Sequence, residues 1–127
     1  MSEEFEKIIS NKVKPIIDQF NLKLVNSDSS AMGELRDYSS DNLYIRIVSD
    51  RGLFDIEVGS IFNRDKLRCV SFFKDWASPP LKGRWNLSID QQLSYLSENW
   101  KWFNQLLGKE EHQSNIGELD KYLNGRV

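Results

Sequence analysis

Residues 43–58 read Leu43-Tyr44-Ile45-Arg46-Ile47-Val48-Ser49-Asp50-Arg51-Gly52-Leu53-Phe54-Asp55-Ile56-Glu57-Val58. Leu43, Ile45 and Ile47 alternate with Tyr44, Arg46 and Val48, and Phe54, Ile56 and Val58 alternate with Leu53, Asp55 and Glu57. Period-two alternation on both sides of a Gly-containing turn is the pattern of an antiparallel hairpin with one apolar face. For the two apolar rows to share that face, facing residue numbers must sum to an odd value, which requires a loop of even length. The loop is therefore Arg51-Gly52 or Ser49–Gly52. In either register Arg46 lies opposite Glu57 or Asp55 on the other face, a complementary cross-strand pair. Asp50-Arg51-Gly52 is turn chemistry, with Asp opening the turn and Gly supplying positive φ.

Upstream, 33–39 reads as a strand with Leu35 on one side and Arg36 and Tyr38 on the other, followed by a turn at Asp41-Asn42. A shorter strand is expected over 22–27, with Leu22 and Leu24 on one side, and a polar turn over Asp28–Ala31. The chain opens on an amphipathic helix from about Glu3 to Phe20. Phe5, Ile8, Ile9, Val13, Ile16, Ile17 and Phe20 recur at three- and four-residue steps, and Glu3, Glu4 and Glu6 suit the positive end of the helix dipole. Ser2 can cap this helix. Pro15 removes a backbone donor, so a kink or break is expected near Asn11–Lys14.

Downstream, 67–73 (LRCVSFF) alternates like a further strand, and Trp76–Trp85 reads as an irregular loop around Pro79, Pro80 and Gly83. Ser88-Ile89-Asp90-Gln91 has the form of a capping box, and a helix to Leu107 follows with the stripe Ile89, Leu93, Leu96, Trp100, Phe103 and Leu107. Gly108 stands at its C-cap position. Ile116, Leu119, Tyr122 and Leu123 suggest a short final helix. The expected fold is a single α+β domain over 1–127: a four- or five-stranded antiparallel sheet packed by an N-terminal helix and a late amphipathic helix, with a short C-terminal helix.

Composition narrows the function. The chain has 127 residues, 39% hydrophobic and 28% charged, which is ordinary for a soluble globular domain. Met1–Lys14 lacks the continuous apolar stretch of a signal peptide, so the expected compartment is the cytoplasm, and no membrane association is expected. Residues 1–60 carry 7 Lys/Arg against 11 Asp/Glu, and residues 61–88 carry 6 against 2. With an isoelectric point near 5.4, the basic middle segment is too small a share of the chain to suggest a nucleic-acid partner. Cys69 is the only cysteine, which leaves no internal disulfide or thiol metal cluster and makes a buried small hydrophobe the expected role.

Standard catalytic constellations are missing. His112 is the only histidine and sits in the polar linker KEEHQSN. The glycines are dispersed and form no phosphate-binding loop. No metal site and no cofactor are expected. Asp55 and Glu57 project together from one strand face, as a glycosidase-type pair would, but the simpler reading is a solvated face neutralised by Arg46. Aromatics point toward protein contact: Trp76 and Trp85 flank the Pro-rich loop with Arg84, while Tyr95 and Trp102 flank the apolar stripe of the late helix. These five residues are the candidate partner-binding set, in a chain expected to be a monomer or homodimer.

The layout of helix, antiparallel strands and late helix, centred on YSSDNLYIRIVSDRGLFDIEVG (residues 38–59), resembles small bacterial immunity-type proteins of polymorphic or contact-dependent toxin systems, or a related bacterial domain. The resemblance implies a non-catalytic protein that masks a partner, a cognate toxin, by surface complementarity. The alternatives are a small carboxylate-dependent enzyme and a self-associating structural protein.

Overall fold

In a computed structural model, the chain is described over residues 3–30, 33–50, 52–62, 64, 66–77 and 87–108. The expected final helix and His112 lie outside these. The architecture is α+β, with the helices on one side of a five-stranded antiparallel meander of order β1-β2-β3-β4-β5. The strands are β1 (Lys23–Ser30), β2 (Gly33–Ser39), β3 (Leu43–Asp50), β4 (Leu53–Ser60) and the two-residue β5 (Arg68–Cys69). No helix among the described residues is long and apolar enough to cross a membrane.

The central hairpin takes the shorter of its two allowed loops. Asp50 pairs with Leu53, Ile47 with Ile56, Ile45 with Val58 and Arg46 with Glu57. Gly52 adopts φ +83°, a backbone region open to glycine at little cost. One correction concerns β1: Asp28, Ser29 and Ser30 continue the strand, opposite Leu35, Glu34 and Gly33, rather than turning. Polar residues here look like a turn only until β2 supplies their hydrogen-bonding partners.

The N-terminal helix breaks where Pro15 demands. Helix α1 (Glu3–Ile8) runs into a π-helical turn over Ile9–Val13, and α2 (Lys14–Gln19) restarts with the proline in its first turn. Pro15 has no N–H to give the preceding turn, and the Lys14 N–H bonds the Ile9 carbonyl with π-helical spacing instead. The face survives the break: Phe5, Ile9, Val13 and Ile16 are all buried. Helix α2 ends on Asn21 at φ 54°, and the Leu22 N–H reaches back to the Ile17 carbonyl at 2.9 Å, a left-handed cap that buries Leu22.

A second correction concerns 67–73. Only Arg68–Cys69 pairs as strand, and α3 (Val70–Ala77) begins at once. Val70, Ser71, Phe72 and Phe73 are all buried. A strand at the sheet edge would cover only one of its faces, whereas the helix sits where several of its faces meet the core. The late helix has the expected capping box, with Ser88 and Gln91 exchanging both bonds, but it is interrupted at Asn99 into α4 (Ile89–Glu98) and α5 (Trp100–Leu107). Gly108 is extended rather than left-handed; a Cβ there would lie 2.6 Å from the Asn104 carbonyl oxygen, so close approach selects the glycine.

Gln92 of α4 fastens the helices to the sheet. Beside the short β5, the outer edge of β4 exposes backbone groups near Phe54 and Ile56. The fully buried Gln92 amide accepts from the Ile56 N–H at 2.7 Å and donates to the Phe54 carbonyl at 3.2 Å and the Leu87 carbonyl at 3.0 Å. A side chain thus does what a sixth strand would do. Gln92→Leu keeps the apolar bulk but leaves that buried edge unsatisfied, and should lower unfolding free energy by about 2–4 kcal/mol in urea titrations.

Candidate functional site

Strand parity divides the sheet into two unlike faces. Tyr38, Ile45, Ile47, Ile56 and Val58 point toward the helices and form the core. The opposite face carries Leu35 and Asp37 from β2, Tyr44, Arg46 and Val48 from β3, and Leu53, Asp55 and Glu57 from β4. One end of this second face is roofed by the segment after β4. The Arg64 guanidinium lies 4.9 Å from the centre of the Tyr44 ring, and a Cβ on Gly59 would meet the Leu67 side chain at 2.6 Å. Toward the β3–β4 turn the face is open, and Leu53 is 74% exposed.

Asp37 is the anchor of this face. It is fully buried although it lies on the side away from the helices. Arg46 grips it with both arms of its guanidinium, Nε to Oδ1 at 2.8 Å and an Nη to Oδ2 at 3.0 Å, and the Tyr44 hydroxyl donates to Oδ2. Burial alone would raise the Asp37 carboxyl, but the hydrogen bonds from Arg46 and Tyr44 and the charge of Arg46 outweigh it and hold the group below its ordinary value. The same contacts raise Arg46. Burial and then Asp37 raise the Tyr44 hydroxyl.

Among the described residues, this choice of partner leaves the β4 carboxylates without an ion pair. Arg46 stands opposite Glu57 in the ladder, yet its guanidinium turns to Asp37. The expected neutralisation of the β4 carboxylates by Arg46 is therefore only partial: Glu57 forms no hydrogen bond or ion pair with the described residues. Partial burial pushes the Glu57 carboxyl up; Arg46 draws it down, and Asp55 and Asp37 push it up again, for a net rise. Burial also raises Asp55, against a weak hydrogen bond from Gln92 at 3.4 Å. Two under-neutralised carboxylates thus project side by side from β4, bordered by Leu53 and by Val48.

Two of the five sequence-predicted contact residues have described side chains, and both lie away from this face. Tyr95 and Trp102 belong to the helical layer and pack partly buried against the core, with ring centres 6.0 Å and 4.9 Å from Phe103. Trp76 lies in the last turn of α3, and its side chain, like Arg84 and Trp85, lies outside the described residues. The structure brings neither Tyr95 nor Trp102 to the open face. Cys69 is half-buried, and burial raises its thiol. Asp37 was the residue sequence reasoning missed. Its signal was present, since alternation puts it beside Leu35 and across from Arg46.

Among the described residues no group of three or more His, Cys, Asp or Glu is placed to hold a metal ion. A polar cleft of about 540 Å³ opens between Asn21, Asp41, Asn42 and Trp100. Its amides bond one another, Asn42 to Asn104 at 3.1 Å, rather than converging on one point. No protein-family model matches the chain, and neither curated proteins nor solved structures give a match.

The carboxylates predict opposite pH responses. Asp37, lowered on folding, contributes stability above the ordinary aspartate value of 3.8 and loses it as pH falls through its folded value. Glu57, raised on folding, opposes folding at neutral pH, and stability recovers as pH falls toward the ordinary glutamate value of 4.5. Thermal melts should show Glu57→Gln raising Tm at pH 7 by about 2–4 °C and flattening the gain between pH 7 and 5. Asp37→Ala should cost about 3 kcal/mol, because the Arg46 charge is left unpaired but keeps some contact with water.

Proposed function

We propose that the chain is a non-catalytic protein-binding domain, and most concretely an immunity protein that neutralises a bacterial toxin in the cytoplasm by masking its surface. The observation that carries this reading is the open sheet face, where Asp55 and Glu57 stand under-neutralised beside exposed Leu53 because Arg46 is committed to Asp37. Carboxylates on a rigid sheet suit a basic protein surface, such as the substrate-binding surface of a nuclease, and would speed encounter as well as fix orientation. The apolar side chains around them supply area that a partner can dehydrate. The likeness of residues 38–59 to immunity-type proteins supports the same conclusion.

A second reading draws on the same pair. Raised carboxylates in proximity also suit acid–base chemistry, and a small enzyme built on Asp55 and Glu57 would turn over a small molecule. The two readings separate in one experiment. Where a toxin gene adjoins its own, the chain is co-expressed with that toxin, and growth protection and complex formation are measured. Asp55→Lys with Glu57→Lys should weaken the complex by about a hundredfold or more and abolish protection, whereas Glu98→Lys on the exposed side of α4 should leave both intact. Recovery of no protein partner, together with turnover of a small molecule that Glu57→Gln abolishes, would replace the first reading by the second.

A further inference from the structure

The two edges of the sheet are treated differently. At the β4 side, β5 and the Gln92 amide cover the backbone. At the other side, among the described residues β1 pairs only with β2, and Lys23–Ser29 are exposed throughout. A terminal strand offers an outward row of unpaired backbone groups. Leu24 at 60% and Val25 at 42% exposure stand side by side on it. We propose that this edge is a self-association site, at which two copies of the chain join their β1 strands antiparallel about a two-fold axis into one continuous sheet.

Charge complementarity selects a second copy as the occupant. Strand β1 carries one cation, Lys23, near its start and one anion, Asp28, near its end. Among the described residues neither forms an ion pair, and the Asp28 carboxylate accepts only from the neighbouring Ser29 N–H. An odd separation would normally put the two side chains on opposite faces. Here it does not. The ladder passes from Leu24 to Asn26 and leaves Val25 as the extra residue of a bulge. Lys23 pairs with Ser39 and Asp28 with Leu35, four residues apart on β2, so both lie on the face away from the helices. Antiparallel joining with Lys23 opposite the second copy's Asp28 then matches faces along the strand. It sets Leu24 opposite Ser27 and Val25 opposite Asn26 on either side of the axis, and repeats the ion pair by symmetry. A parallel arrangement in register would set lysine against lysine. A lone lysine and a bulge keep edge strands from pairing indiscriminately; between two copies they specify one register.

The test is sedimentation velocity of the full chain from micromolar to submillimolar concentration, with circular dichroism as a check on folding. Both positions are exposed, so the fold should be unaffected. The expected result is a concentration-dependent dimer, weakened about tenfold or more by Lys23→Asp, which sets carboxylate against carboxylate twice, and recovered by the double exchange Lys23→Asp with Asp28→Lys. A monomer at all concentrations overturns the proposal, as does a dimer indifferent to Lys23→Asp or one that the double exchange fails to restore. A chain that stays monomeric and still protects against its toxin would sink this inference alone and leave the toxin-binding reading standing.

Discussion

The pairing of Ile45 with Val58 and of Ile47 with Ile56 puts four almost fully buried branched side chains at the centre of the sheet, and the helices are arranged to cover them. The Phe5 ring of α1 lies nearly parallel to that of Phe54 with ring centres 6.4 Å apart, and Phe73 of α3 meets Phe103 of α5 edge to face at 5.1 Å. Because a strand alternates strictly, committing these residues to one face commits Arg46, Asp55 and Glu57 to the other. The polar face is thus a geometric consequence of the core.

On that polar face one buried carboxylate organises the charges. Asp37, which faces Arg46 from β2, takes both arms of its guanidinium and the Tyr44 hydroxyl, a fork geometry that fixes the arginine on that side. Arg46 cannot serve Asp37 in this way and neutralise the β4 pair as well. A stable network between β2 and β3 and under-neutralised charge on β4 are two sides of one arrangement. The first holds the surface rigid, and the second makes it receptive to a cationic partner.

The helical layer shows how local chemistry and packing divide the work. Pro15 dictates that the N-terminal helix must break, and the π-helical turn absorbs the break while Ile9 and Val13 stay buried. Lys12 in that turn reaches Asp90 at the start of α4 at 2.7 Å, and Arg36 of β2 bonds Glu6 of α1, so polar ties as well as apolar packing join the layers. Both ties reach the surface, where ion pairs add little energy but help set orientation.

Much of this was legible from residue order alone. Parity identified the central hairpin and narrowed its loop to two choices, the capping box placed the start of α4, and Pro15 located the break, because each rests on interactions between residues close in the chain. What needed the tertiary structure were decisions made between distant elements. Val70–Ala77 became helix because several of its faces meet the core, overriding the strand preference of Val and Phe. Gln92 became the cap of a strand edge 36 residues away. Arg46 has a carboxylate facing it on either side, Glu57 on β4 and Asp37 on β2, and takes Asp37, since an unpaired carboxylate is more costly at that fully buried position than at the half-buried Glu57.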